Sequence, residues 1–356
     1  MNNDTVQIYD QYLYRKRIAL IIAAVTTIVA ALYSIGVGSM EISMVDVFKV
    51  FAGGGEKMHR TAILNIRLPR AVTAVLVGAA LAASGAVMQC VLRNPLASAS
   101  SLGVSQGAAF GAALGIVVFG GGVVNSANAT TAISINNPYI VTLCAFVFGM
   151  VSTVVVVGIS RFMKNIGPGG LILAGTALSS LFSGASTILQ YFADDTKLGA
   201  IVFWTFGNLG STGWRELLIL FIACLTALIY FQFNRWNYNV MTSGGDTAKS
   251  LGVNTHSVML VSMGICSLLA AVAVSFAGII SFVGLVAPHI MRKFVGNDYR
   301  YLVPGSAIAG ALLLVLADLV SRTVMAPVIL PIGALTAFLG APIFLFLLFK
   351  GVRHNG

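Results

Sequence analysis

Apolar stretches long enough to cross a lipid bilayer recur along almost the whole chain, and no other feature restricts its folds so severely. They fall near 17 to 38, 71 to 91, 103 to 123, 139 to 160, 171 to 192, 215 to 233, 256 to 275, 277 to 291, 302 to 321 and 333 to 349. A spanning helix needs about 20 apolar residues, so ten of them take roughly 200 positions and leave the rest for connections. Within lipid every backbone N–H and C=O must be satisfied inside the structure, and stretches of this length do so as helices. The expected fold class is all-α, a polytopic membrane protein of about ten transmembrane helices forming one domain over residues 1–356. Charged residues make up only 9% of the chain, against about 25% in a soluble domain. The few acids are scattered, with Asp194 and Asp195 the one adjacent pair, which excludes most enzyme active sites. No catalytic role is expected.

The first stretch follows Arg15-Lys16-Arg17 but is too long for a secretory signal and lacks a small-x-small cleavage site, so it reads as a retained helix. Basic residues mark cytoplasmic loops. A cytoplasmic N-terminus (1–16) puts Arg15, Lys16, Arg17, Arg93, Arg161, Lys164, Arg235, Lys249, Arg292, Lys293, Arg300, Lys350 and Arg353 inside. The C-terminus then lies inside as well. The net charge of +10 is thus explained by topology, without nucleic acid. Five of the eight basic residues left outside, Lys49, Lys57, Arg60, Arg67 and Arg70, crowd into one external segment, 39–70. Within it Ser43-x-x-Asp46 resembles a capping box, and Ser43, Asp46 and Lys49 recur among Ile42, Val45, Val47, Phe48 and Phe51, the pattern of a short interfacial helix.

Gly103, Gly107, Gly111 and Gly115 repeat every fourth residue and would let a neighbouring helix approach closely. Cys90, Cys144, Cys224 and Cys266 stand singly in apolar segments and read as packing residues. Prolines and glycines interrupt several stretches, which lipid tolerates only where protein or a water-filled cavity receives the freed backbone groups.

In the fifth stretch Thr176, Ser180, Ser183, Thr187 and Gln190, flanked by Ser179 and Ser186, form one polar stripe at helical spacing. The stripe either hydrogen-bonds to other helices or lines a wetted path, and the spacing alone leaves both open. It carries no fixed charge, so a cargo passing it would be bulky and weakly held. Asp318 and Arg322, four apart, share one helix face in the ninth stretch. A proton or sodium relay would show several intramembrane acids or histidines, so one self-paired acid argues against an ion-coupled secondary transporter working alone. The chain has no G-x-x-x-x-G-K-[ST] phosphate loop, so any ATP would be held by a partner. The longest cytoplasmic connection, 234–255, offers Asp246 as a cap, Thr247 to Leu251 as a short helix and Gly252 as its left-handed terminator, the outline of a docking knob.

The runs RLPRAVTAVLVGAALAASGAVMQCVLRNPLASASSLGVSQGAAFG (67 to 111), LILAGTALSS (171 to 180), GGDTAKSLGV (244 to 253), FAGIISFVGLVAPHIMR (276 to 292) and ADLVSRTVMAPVILPIGALTAFLGAPIFLFLL (317 to 348) resemble the FecCD permeases. These are membrane subunits of ATP-binding-cassette importers for iron-siderophore complexes, haem and cobalamin. The resemblance spans nearly the whole chain with its blocks in order. It implies a permease subunit of a prokaryotic cytoplasmic membrane that moves an iron chelate, siderophore or haem, inward, with cobalamin as the alternative cargo. The implied partners are two cytoplasmic ATPase subunits, a second permease copy or paralogue and an external substrate-binding protein. No cofactor would sit on this chain, and ATP would be hydrolysed by the ATPases. Asp246, Thr247, Ala248, Lys249, Leu251 and Gly252 would form the ATPase coupling site, with Asp where Glu is more usual. Arg67, Arg70 and Arg322 would dock the binding protein. Thr176, Ser179, Ser180, Ser183, Thr187 and Gln190 would line the pathway. Asn165-Ile166-Gly167-Pro168-Gly169-Gly170 stands where relatives carry small hydroxyl gate residues. The two five-helix halves would be related by an inverted repeat.

Overall fold

The computed structural model describes residues 3–38, 42–121, 137–163 and 166–352. Among them all regular structure is helical. The helices are α1 (Asn3–Gly36), α2 (Met44–Phe51), α3 (Lys57–Thr61), α4 (Leu68–Val91), α5 (Val104–Val117), α6 (Pro138–Phe162), α7 (Pro168–Tyr191), α8 (Asp195–Thr205), α9 (Trp214–Phe233), α10 (Arg235–Thr242), α11 (Gly245–Ser250), α12 (Thr255–Ala277), α13 (Val283–Val295), α14 (Tyr299–Thr323) and α15 (Ile332–Val352). Each of the ten expected stretches carries one of them. Among the described residues α1, the run from α3 through α4, α6, α7, α9, α12 and α14 are long and apolar enough to cross a membrane. The remaining three stretches form α5, α13 and α15, the last apolar over Ile332–Phe346.

The segment 39–70 differs from the interfacial stretch expected. Residues 39–41 lie outside the described residues, and α2 forms as predicted, with Ser43 Oγ accepting the Asp46 amide at 3.2 Å. From Lys57 onward, however, the chain is already part of the spanning helix. α3 passes through a π-helical turn (Ala62–Arg67) directly into α4. Pro69 explains the turn. It has no N–H for the carbonyl four residues back and its ring crowds that carbonyl, so the wider turn keeps the helix continuous.

A 3-10 turn (Ala99–Leu102) precedes the third stretch, and Gly103, at φ +82°, caps α5 instead of belonging to it. Residues 122–123 of that stretch lie outside the described residues. The other three glycines act as expected. A Cβ on Gly107 or Gly111 would run into the Phe148 or Cys144 carbonyl, so α5 and α6 touch backbone to backbone. In the eighth stretch residues 278–282 are not helical. This broken backbone lies against protein: Asn208 donates to the Ala277 carbonyl at 2.8 Å, Gly333 donates to Phe206 at 2.9 Å, and Gly333 sits directly on the Ile279 carbonyl. The helix α8 was not expected. Asp194 starts it by accepting the Lys197 amide at 2.8 Å.

α4 is the hub, buried along almost its whole length among α9, α12, α13 and α14. Its glycines permit this. Gly78 lies on the Gly310 backbone of α14, and Gly85 on the Gly284 backbone of α13.

Candidate functional site

We call the end of the bundle that carries Lys16, α10 and α11 the lower end, and the end that carries α2 the upper end. Arg93, Lys16 and Arg300, all expected on one side, gather at the lower end. Arg93 packs directly on Gly245, while Lys16 and Arg300 reach Asp298 at 4.0 and 2.7 Å. Lys164, Asn165 and Arg353 lie outside the described residues.

The short helix expected in the 234–255 connection is present as α11, but its start is corrected. The N-cap is Gly244, at φ +112°, and not Asp246. Gly244 adopts backbone angles that a side chain would resist, so the helix begins at Gly245 and Asp246 becomes its second residue, with a fully exposed carboxylate 3.6 Å from Lys249. The end is as predicted. Gly252, at φ +81°, donates to Lys249 at 2.9 Å and Val253 donates to Ala248 at 3.0 Å, a Schellman closure. Ala248 is buried beneath the helix, whereas Thr247, Lys249 and Leu251 are exposed. α11 rests on α10 and α12.

On α7 the inward face is Leu171, Gly175, Phe182 and Ser186. Gly175 lies against the Ser101 carbonyl, and Phe182 stacks on Phe110 at 5.6 Å. This packing fixes the rotation of α7 and turns the stripe outward: Thr176, Ser180, Ser183 and Thr187 are exposed, and Ser179 and Gln190 are half-buried. Ser179, Ser180 and Thr187 donate to the carbonyls four residues back at 2.9, 3.1 and 3.0 Å, and Thr176 donates to Leu173 at 2.8 Å. These hydroxyls are satisfied on their own helix, so of the two readings left open the stripe does not serve as glue to another helix of this chain.

At the upper end Asp318 is 1% exposed and accepts two arginines, Arg322 Nε at 2.9 Å and Arg70 Nε at 2.8 Å. The first pair was legible at four-residue spacing. The second joins α14 to α4 across 248 positions and had no signal in the sequence. Arg322 also donates to Val37 at 2.7 Å and Ser34 at 3.2 Å, while Arg67 donates to Ile35 and Gly36 at 2.9 and 2.7 Å. These four carbonyls end α1, where a helix leaves its acceptors unpaired. The three arginines expected to dock a partner thus also clamp α1, α4 and α14 together. Outside the spans, the Ser43 hydroxyl and Lys49 hold the Asp46 carboxyl below its ordinary value. Burial pushes Asp298 up, but hydrogen bonds from Arg300 and Asn239 outweigh it and hold its carboxyl low. Among the described residues no three His, Cys, Asp or Glu side chains converge to hold a metal ion.

A bundle with this many helices long and apolar enough to cross a membrane is that of a polytopic membrane protein. Residues 26–350 match the FecCD transport family. A Methanocaldococcus jannaschii chain named as an ABC transporter permease is 46% identical, covering 98% of both chains. The iron(3+)-hydroxamate import permease FhuB of Bacillus subtilis is 38% identical, covering 94% of this chain and 83% of its own. The hemin transport permease HmuU of Yersinia pestis is 36% identical, covering 81% and 83%. A solved inward-facing structure of a transporter classed as metal-chelate type ABC superposes with a TM-score of 0.80 at 32% identity, covering 93% of this chain and 98% of that one. The chain belongs to the FecCD transport family and is an ABC importer permease.

Proposed function

We propose that this permease carries an iron chelate, a siderophore complex or haem, inward across a prokaryotic cytoplasmic membrane, between itself and a second permease copy or paralogue. The observation that carries the reading is the α7 stripe: hydroxyls turned out of the subunit, those of Thr176, Ser180 and Thr187 donating to their own helix, offer a polar, uncharged wall to a large cargo. Relatives named for ferric hydroxamate and hemin import support iron, and relatives named for vitamin B12 import, 35% identical over 94% of this chain, make cobalamin the alternative cargo. In this reading the lower end and both termini are cytoplasmic, α11 seats an ATPase subunit on each permease, and the upper arginine cluster receives an external binding protein. With Asp318 neutralising one of the three arginines there, the cluster keeps a net positive charge that suits acidic lobes.

The test is to purify the tagged chain from native membranes and identify what travels with it by mass spectrometry. An ATPase subunit, lost on Asp246→Lys, is the expected result. The chain recovered alone under several mild detergents would overturn the reading. Binding-protein docking is better tested by salt than by charge reversal, because a carboxylate at residue 70 would face Asp318. Association should weaken as ionic strength rises.

A further inference from the structure

We infer that Asn239 and Asp298 form the joint through which movement of α11 reaches the membrane bundle, with α14 as the rod that carries it to the upper end. The inference rests on the reading of α11 as the ATPase seat.

α11 joins the bundle on one side through α10 and on the other through α12, and α10 is fixed at several points. Asn239 is the central one. Its Oδ1 accepts the Tyr299 amide at 2.7 Å and its Nδ2 donates to Asp298 Oδ1 at 3.0 Å, so one side chain grips both residues at the start of α14. Because Tyr299 must donate, the orientation of the Asn239 amide is set by the network. Asp298 is in turn held by Arg300 in a forked contact, Nε at 2.9 Å and Nη2 at 2.7 Å, and faces the buried Lys16 of α1 at 4.0 Å. Next to Asn239, Tyr238 is fully buried, hydrogen-bonded to Ser262 of α12 at 2.9 Å and 5.8 Å from the Tyr299 ring.

α9, which leads into this loop, is tied to the same place. Pro304 has no N–H for the Arg300 carbonyl, the bond an unbroken helix would make. Gln232 Nε2 supplies a donor to that carbonyl instead, at 3.3 Å. Thus the start of α14 is gripped by α10, α9 and α1 together.

From there α14 runs 25 residues, about 37 Å at helical rise, packed on α4 at Gly78 without room for a side chain. Its far end carries Asp318 and Arg322, which hold Arg70 of α4 and the last carbonyls of α1. With the first turn tied down by Gln232, a displacement at Asn239 is delivered to the arginine cluster by the unbroken part of α14 beyond Pro304. Asn239 and Asp298 are positioning residues in this scheme.

The test uses the assembled importer in membrane vesicles, with Ser183→Cys on the exposed α7 stripe labelled by a membrane-impermeant maleimide, with and without ATP plus vanadate. In the otherwise wild-type complex the labelling rate should differ clearly between the two conditions. With Asn239→Ala the ATPase subunits should still co-purify and hydrolyse ATP, while the nucleotide-dependent change in labelling disappears. A full response in Asn239→Ala with the ATPase retained would overturn the joint. Should that variant fail to accumulate, Asn239→Ser, whose shorter side chain cannot bond Tyr299 and Asp298 at once, makes the same test. A wild-type chain that never holds an ATPase subunit defeats the α11 reading itself and this inference with it, before any Asn239 variant is made.

Discussion

Replacing Asp318 by alanine should destabilise the permease more than any other single change at its upper end. The carboxylate is 1% exposed and receives charge-assisted hydrogen bonds at 2.8 and 2.9 Å from Arg70 and Arg322, whose side chains are 12% and 9% exposed. Removing one partner of a buried ion pair costs about 3–5 kcal/mol, because the other charge is left without compensation. Here two charges are affected, but Arg322 keeps the Val37 and Ser34 carbonyls, so about 3 kcal/mol is the reasoned figure. At about 2–4 °C per kcal/mol for a chain larger than a small domain, Tm should fall by about 6–12 °C. The assay is thermal unfolding in a single detergent, followed by tryptophan fluorescence and by loss of the monodisperse species. Asp318→Asn should lose less, since its amide oxygen still accepts one guanidinium. Combining Asp318→Ala with Arg70→Met should cost much less than the two single changes added together, because Met no longer leaves a charge exposed to the gap. A fall under about 2 °C for Asp318→Ala, or strictly additive effects in the double variant, would refute the clamp.

Three further outcomes follow from the same geometry. Gly111→Leu drives a side chain into the Cys144 carbonyl and should cost about 1–3 kcal/mol in unfolding, whereas Gly158→Leu, with nothing near its Cβ position, should leave Tm unchanged. Gly252→Pro replaces a φ of +81° by one near −65° and removes the N–H bonded to Lys249; the ATPase subunit should be lost on purification while the bundle's Tm is kept. Because Asp298 is held below its ordinary value, its contribution to stability is present above the unfolded carboxyl pKa and is lost as pH falls through the lower folded one. The gap in Tm between wild type and Asp298→Asn should be constant from pH 8 to about 5 and close below about 4.

The lengths and positions of the apolar stretches were enough to establish a ten-segment helical membrane protein, because lipid leaves a backbone so few ways to satisfy its polar groups. Local rules likewise gave the Ser43 cap, the Gly252 terminator and the Asp318–Arg322 pair, all of which depend on residues within one or two turns of each other. Other features belong to the tertiary structure alone. Gly244, at φ +112°, set the start of α11, and Gly245 leaves the room that Arg93 fills. The outward turn of the α7 stripe was set by Gly175 and Phe182 meeting α5, and spacing along one helix cannot say which face a neighbour covers. Arg70 on Asp318, Arg67 on the end of α1 and Asn239 on the start of α14 join residues far apart in sequence. Periodicity and composition carry no record of such contacts; they exist only once the helices have packed.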